Sequence, residues 1–172
     1  MNKKVELEHY DINNMLMFSI DVKSLYPSVK FLHLQVALKY CFEIVTNWSD
    51  SVINTLIKLI IYTLEHQQIK WNDVFYMLTQ GIPTGGKHCV PLANIFLTFI
   101  LTTLIKSDSV FKSIYDTNLK LWQRYIDDCL GIFMGKNKLF DKYFSKLKAQ
   151  FKKYDLDLTI EKSYTDIVIL DI

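Results

Sequence analysis

The chain has 172 residues, of which 50% are hydrophobic and 14% aromatic, so it can bury the core of one ordinary domain and is not intrinsically disordered. Its net charge of +2 predicts no general attraction to nucleic acid, although seven lysines between Lys136 and Lys153 allow a local basic face. Three cysteines without a CxxC pair favour a reducing compartment over a disulfide framework.

Targeting signals are not evident in the sequence. The N-terminus has no apolar leader, so we expect an intracellular protein of the nucleus or cytoplasm. The apolar stretches at 51–64 and 92–105 are shorter than the ~20 residues of a membrane span, and they predict core helices and no membrane association. Because no linker, repeat or low-complexity tract divides the chain, we expect one domain over residues 1–172.

The first half of the chain predicts a strand, two helices and a hairpin. Residues 15–22 form a short apolar run of strand-forming side chains. Apolar residues then follow helical spacing over 31–45 and over 50–64. Residues 68–79 contain two short apolar arms around an Asn-Asp turn, which predicts a β-hairpin.

The second half predicts a helix, a second hairpin, another helix and two final strands. These elements cover residues 88–106 (helix), 119–126 and 129–134 (hairpin), 137–154 (helix), 156–161 and 167–172 (strands). Without the small first hairpin, with consecutive helices counted together and the last strand left aside, the order is the β-α-β-β-α-β of a ferredoxin-like (RRM-like) fold. We therefore expect an α+β protein with an antiparallel sheet and helices packed on one face.

Two adjacent carboxylates, Asp127 and Asp128, occupy the tip of the second predicted hairpin, and Asp21 ends the first predicted strand. We expect an Asp at the left-handed position of that tip. In the ferredoxin-like order these segments are neighbours, so the three acids converge on the open face of the sheet. Carboxylates a few Å apart repel by an energy on the order of several kcal/mol in a low-dielectric setting unless a cation lies between them. The pattern therefore predicts a divalent-metal site for phosphoryl transfer.

Two further segments carry chemistry, although each also has an ordinary structural explanation. Tyr26 lies five residues after Asp21, beyond a turn, and it could equally be a half-buried core tyrosine. The loop 80–86 begins with Gln80-Gly81, where glycine permits close backbone approach to a substrate and Gln can hydrogen-bond a base or sugar. A simple connection is the alternative for this loop.

In combination, these segments resemble the palm of the reverse transcriptase family. The matching segments, in motif order, are Asp21-Val22-Lys23-Ser24-Leu25-Tyr26, residues 80–86 with 91–94, Tyr125-Ile126-Asp127-Asp128, residues 158–163, and residues 169–172. The resemblance runs from residue 15 to the C-terminus and is greatest for the Penelope-like retroelement branch. The chain departs from the family at Lys87–Pro91, where a Ser-Pro pair is common, and its last motif stops at the chain end.

The resemblance implies an RNA-directed DNA polymerase that adds deoxynucleotides to a DNA primer on an RNA template. By this resemblance, Asp21, Asp127 and Asp128, with Val22 as a further metal contact, would hold two Mg²⁺ ions, for which Mn²⁺ can substitute. These ions would activate the primer 3′-hydroxyl and stabilise the departing pyrophosphate.

The family's other motif positions imply substrate contacts. Tyr26 would lie under the sugar and clash with a 2′-hydroxyl. Gln80 and Gly81 would line the incoming nucleotide and template base, and Tyr125 would lie near the primer terminus. Lys162 would protonate the pyrophosphate, although a solvated lysine explains it as well.

Fingers and a thumb are largely absent, so we expect a palm core from a longer protein. Two other functions stay open. One is a truncated palm that binds nucleic acid or is only structural. The other is a DNA-templated DNA polymerase, whose first motif also reads Asp-x-x-Ser-Leu-Tyr-Pro-Ser but whose acidic hairpin separates its aspartates by a Thr.

Overall fold

The computed structural model describes residues 14–164, which form two compact units. In chain order the elements are β1 (Met15–Lys23), α1 (Leu25–Ser28), α2 (Phe31–Val45), α3 (Asp50–Glu65), β2 (Gln68–Trp71), β3 (Val74–Met77), α4 (Cys89–Ser107), α5 (Ser109–Thr117), β4 (Leu119–Tyr125), β5 (Asp128–Met134), α6 (Asn137–Lys152) and β6 (Asp157–Ser163). Within the described residues, the sheet unit comprises 14–23 and 101–164, and the helical unit comprises Ser24–Ile100.

The sheet unit is built on a four-stranded antiparallel sheet in the order β4-β5-β1-β6. Side chains alternate along β1, with Leu16, Phe18, Ile20 and Val22 buried and the residues between them half-buried. This alternation follows from the two-residue period of a strand. Asp21 therefore lies on the face of the sheet opposite Leu16, Phe18, Ile20 and Val22.

The buried face of the sheet is closed by aromatic side chains of α6. The rings of Phe18 and Phe140 lie 4.9 Å apart, and Phe133 meets Phe140 edge-on at 5.2 Å. Gly131 is the cross-strand partner of Phe18, and a Cβ at Gly131 would lie 2.1 Å from the Phe18 ring. A glycine is therefore required there so that the ring can lie against the sheet.

The helical unit contains α1, α2, α3, the β2–β3 hairpin and α4 up to Ile100. Ile53, Ile57, Ile61 and Leu64 are buried along α3 at helical spacing, which makes one face of that helix apolar. The hairpin turns at Asn72 and Asp73, both with positive φ, as a two-residue hairpin loop requires.

The α+β class and the antiparallel sheet are confirmed, and α2 has the predicted bounds. Two short helices, α1 and α5, were not predicted. The predicted strand at 167–172 lies outside the described residues.

Helix α4 is long and apolar enough to cross a membrane, judged by length and composition alone. Half of the most apolar 18-residue stretch of this helix is buried inside the structure. A core helix of a globular protein can have the same length and composition. Tyr40 of α2 packs edge-on against Phe99 of α4 at 5.3 Å, which gives this helix a packing partner within the helical unit.

Candidate active site

Asp21 and Asp128 are cross-strand partners at the end of the β1–β5 ladder. Directly opposed residues on antiparallel strands project to the same face of a sheet. Both side chains are half-buried, so they are open to a ligand. The structure thus brings together two of the three predicted carboxylates, on the face away from Phe18.

Thr159 of β6 lies on the other side of Asp21 and is its cross-strand partner. Its hydroxyl donates a hydrogen bond to Asp21 Oδ2 at 3.1 Å. This bond fixes the position of one carboxylate oxygen of Asp21. A neighbour that orients a carboxylate is typical of metal and catalytic sites.

The tip of the β4–β5 hairpin is tied to β1 by its main chain. The Val22 amide donates to the Asp127 carbonyl at 3.3 Å, and Arg124 Nη1 donates to the Ile126 carbonyl at 3.1 Å. Ile126, and not an Asp as we expected, takes the left-handed conformation, with φ 52°. A β-branched residue is strained there, and such strain is concentrated at functional sites.

The three carboxylates act together on the buried thiol of Cys129. Burial raises the pKa of Cys129 to about 12, and the negative charges of Asp128, Asp127 and Asp21 add to the effect, while Arg124 opposes it. Burial in turn lowers the pKa of Arg124. We refer to Asp21, Asp127 and Asp128 as the acidic patch.

Tyr125 is the cross-strand partner of Asp128, and its side chain is 64% exposed. By the same parity argument it lies on the face of the acidic patch. An exposed aromatic ring next to carboxylates can contact a sugar or a base. Its predicted position near a primer terminus stays a prediction.

The acidic patch fits Mg²⁺ in its donor chemistry. Mg²⁺ prefers carboxylate oxygens and is usually held by one or two carboxylates together with substrate phosphates. Asp21 and Asp128 supply such a pair. Within residues 14–164, no three His, Cys, Asp or Glu side chains are grouped closely enough to hold a metal by themselves. Within the described part of the chain, Asp21, Asp127 and Asp128 therefore do not form a three-carboxylate metal site by themselves.

Lys162 lies on the other face of the sheet. It is the cross-strand partner of Phe18, three residues beyond Thr159, and it therefore points to the side of α6. There its Nζ lies 3.1 Å from Asp141 Oδ1 and 5.7 Å from the centre of the Phe140 ring. The structure does not bring Lys162 together with the acidic patch.

Lysines of α6 are partly engaged within the sheet unit. Lys146 pairs with Asp108, Lys152 with Asp157 and Lys153 with Gln150. Three lysines of the lysine-rich run therefore form contacts within the sheet unit on a solvated helix face. These contacts weaken the interpretation of the run as a phosphate-binding surface.

Tyr26, Gln80 and Gly81 come together in the helical unit. Two backbone amides of the loop donate to the turn, Gly81 N to Val29 O at 2.9 Å and Ile82 N to Tyr26 O at 2.8 Å. Gln80 Nε2 adds a bond to Pro27 O at 3.3 Å. We call this contact between residues 26–29 and 80–82 the turn clamp. It joins two predicted motifs that are 53 residues apart in the chain.

Thr159 and Arg124 are supporting residues that the sequence analysis did not identify. Thr159 could have been found, because a strand register that pairs Asp21 with β6 brings one polar residue opposite it. Arg124 carried no such signal, since its bond to the hairpin carbonyl depends on the strained turn.

Comparison with solved structures gives nucleic-acid polymerases as neighbours. A Candida tropicalis telomerase truncated from its C-terminal domain matches with TM-score 0.59 and 16% identity, over 87% of this chain and 31% of that one. A Candida albicans telomerase in complex with a TWJ fragment of telomeric RNA gives 0.65 and 12%, over 87% and 28%. The BmCPV RNA-dependent RNA polymerase at quiescent state gives 0.68 and 14%, over 91% and 15%.

At these identities the similarity shows the fold alone, which is a polymerase-like palm. The chain spans from 15% to 31% of the length of these three proteins. No protein-family model and no curated protein matches the chain.

Proposed function

We propose that this chain is the catalytic palm of an RNA-directed DNA polymerase. The observation that carries the proposal is the pairing of Asp21 with Asp128 at the end of one ladder, next to the hairpin tip that bears Asp127. Nucleotidyl transfer by two metal ions needs carboxylates from separate segments on one open face. The cross-strand pair Asp21 and Asp128 supports this arrangement for two of the three carboxylates.

The strand order supports a palm of the ferredoxin-like type. The sheet has the strand order β4-β5-β1-β6. If the strands are renumbered without the small hairpin, this order becomes 2-3-1-4. A β-α-β-β-α-β chain produces that order when its sheet is antiparallel. The structural neighbours, telomerases and a viral RNA-dependent RNA polymerase, support polymerase chemistry with RNA. The Penelope-like assignment depends on the sequence motifs alone.

The residues of the patch have distinct proposed roles. Bound Mg²⁺, or Mn²⁺ in its place, would supply charge neutralisation at the reacting phosphate and an activated primer hydroxyl. Asp21 and Asp128 hold the ions, with Asp127 as third carboxylate and Val22 as main-chain contact. Thr159 orients Asp21, and Tyr125 contacts the primer terminus.

Tyr26 is our proposed selector of the sugar. A tyrosine ring that occupies the space of a 2′-hydroxyl rejects ribonucleotides by steric clash. This proposal favours DNA as the product, and it separates the chain from an RNA polymerase of similar fold. Gln80 and Gly81 are proposed to line the nucleotide. For Lys162, the ion pair with Asp141 on the other face of the sheet argues against the pyrophosphate role.

Primer extension in a two-by-two design tests the function. The chain is incubated with Mg²⁺ and a primer on matched RNA and DNA templates, with either deoxynucleotides or ribonucleotides. We expect extension on the RNA template with deoxynucleotides, and about tenfold or more discrimination against ribonucleotides.

The other outcomes contradict the proposal in distinguishable ways. Extension with ribonucleotides on RNA would indicate an RNA polymerase, and extension only on DNA would indicate a DNA-templated enzyme. No extension in any combination, with Mg²⁺ or Mn²⁺, would show a palm that binds nucleic acid or is structural only.

A further inference from the structure

The turn that carries Tyr26 is not self-supporting. Helix α1 has only four residues, and a single helical turn has little stability of its own. The turn begins at Ser24, which has a left-handed conformation at φ 48° and ψ 41° and, within the described residues, gives the helix no side-chain cap. Outside contacts must therefore hold Tyr26 in place.

Residues 80–82 supply three such contacts. The carbonyls of Tyr26, Pro27 and Val29 each accept a hydrogen bond from this segment, at 2.8, 3.3 and 2.9 Å respectively. Two of the three donors are backbone amides, so the position of the segment fixes the turn. The third donor is the Gln80 side chain.

Gly81 permits this close approach because it has no side chain. Its φ is +90°, and a Cβ there would lie 2.9 Å from Pro27 Cα and 3.0 Å from Tyr26 O. Both atoms belong to the backbone, which cannot rotate away as a side chain would. A methyl group at Gly81 would therefore push the Tyr26 turn and the loop apart.

From this geometry we infer that Gln80 and Gly81 are positioning residues for Tyr26, and that the discrimination between deoxyribose and ribose depends on them through the turn clamp. The inference rests on the proposed role of Tyr26 as sugar selector. It differs from a direct contact of Gln80 or Gly81 with the nucleotide, because it predicts that their loss moves the tyrosine in the absence of any nucleotide.

Gly85 provides a matched control for Gly81. It also has a positive φ, +96°, but a Cβ there would meet none of the described atoms within 4 Å. Gly81→Ala and Gly85→Ala therefore introduce similar backbone strain, and only the first pushes against Tyr26 and Pro27. Gln80→Ala is a milder second variant, since the Gln80 side chain is exposed and its removal should not prevent folding.

The test has two readouts on the whole chain. In the first, the protein is labelled with 3-fluorotyrosine, and Tyr26→Phe identifies the ¹⁹F signal of Tyr26 among the ten tyrosines. We expect that signal to shift in Gly81→Ala and in Gln80→Ala, and to stay in place in Gly85→Ala, all without nucleotide or metal.

In the second readout, kcat/KM is measured for a deoxynucleotide and its ribonucleotide on an RNA template. We expect discrimination to fall by about tenfold in Gly81→Ala, as it does in Tyr26→Ala, while Gly85→Ala leaves the ratio unchanged. A smaller loss is expected in Gln80→Ala.

The outcomes separate this inference from the proposed function. An unmoved Tyr26 signal in both clamp variants, or an equal shift in Gly85→Ala, overturns the inference whether or not the chain polymerises. A shifted signal with unchanged discrimination also overturns it. If the unmodified chain incorporates no nucleotide, the proposed function fails together with the selectivity role, and the ¹⁹F signal then decides only whether the clamp positions Tyr26.

Discussion

Thr159 orients a carboxylate of the acidic patch through its hydroxyl, which lies 3.1 Å from Asp21 Oδ2 and 3.4 Å from the Asp21 carbonyl oxygen. We predict that Thr159→Val, which keeps the shape and removes the donor, weakens Mn²⁺ binding about tenfold. Loss of a group that orients a metal ligand typically has an effect of this size. Electron paramagnetic resonance titration of free Mn²⁺ measures the affinity without any need for catalysis.

Thr159→Ser is the control, since it retains the hydroxyl. It should bind Mn²⁺ nearly as the unchanged protein does. Equal affinity of the Val and Ser variants would show that the bond to Asp21 has no part in metal binding.

Tyr143 of α6 has a fully buried ring that stacks on Phe111 at 4.9 Å, and its hydroxyl has no hydrogen-bond partner among residues 14–164. A buried polar group without a partner costs about 1–3 kcal/mol. We therefore predict that Tyr143→Phe increases the free energy of unfolding by about 1 kcal/mol, measured by urea denaturation at pH 7.

The same residue sets a pH dependence. Burial raises the pKa of Tyr143 well above its usual value of 10. Above pH 10 the unfolded chain loses this proton while the folded chain retains it, so the contribution to stability falls as the pH rises. The stability gain of Tyr143→Phe should grow between pH 9 and 11. A constant difference over that range would contradict the burial of the hydroxyl.

The face of the sheet on which a residue lies was predictable, because side chains alternate between the two faces along a strand. The opposition of Asp21 and Asp128 followed from topology and is present in the register. Thr159 and Lys162 are three residues apart on β6, so the alternation of side chains along a strand also predicts that they lie on opposite faces of the sheet. The positive φ of Ile126 was not predictable, because local preference favours an Asp there and tertiary contacts override it.

Helix α5 is joined to α6 by Asp108. Asp108 Oδ1 accepts a hydrogen bond from the Phe111 amide at 2.8 Å, as an N-cap does, and its other oxygen pairs with Lys146. The Lys146 hydrogen bond, followed by that of the Phe111 amide, lowers the pKa of Asp108 below its usual 3.8. We predict that Asp108→Ala lowers the melting temperature at pH 7, as measured by circular dichroism.

The sign of the pH effect follows from the lowered pKa. The contribution of Asp108 is complete above about pH 3.8, and it disappears as the pH falls through the lower folded-state value. The difference between Asp108→Ala and the unchanged protein should therefore shrink at pH 3. Asp116→Ala removes a half-exposed pair with Lys112 and should change little at either pH. Equal effects of the two substitutions would contradict the capping role.

Elements with strong periodicity were predicted well, and short ones were missed. Helix α2 and the β2–β3 hairpin carry clear apolar spacing and a two-residue turn signal. Helix α5 has only nine residues and three buried apolar positions, Phe111, Ile114 and Tyr115, and it was not predicted. Asp108 at its N-cap was the signal that could have identified it.

The whole molecule combines a sheet unit that carries the acidic patch with a helical unit that carries the turn clamp. The class of fold was predictable because the order of elements allows few antiparallel arrangements. The division into two units was not predictable, since no change in composition or linker marks residues 23–24 or 100–101. Polymerases of similar fold are several times longer than this chain.

Primer extension on an RNA template by Asp127→Asn and Asp128→Asn variants is the most direct test of the central claim that the acidic patch catalyses nucleotidyl transfer. Asp116→Asn, a half-exposed acid on α5, is the matched control. The account predicts that both patch variants lose incorporation by about a thousandfold or more while the control retains it, since removal of a metal-binding carboxylate costs several kcal/mol of transition-state stabilisation. Incorporation that persists in both patch variants would contradict the account.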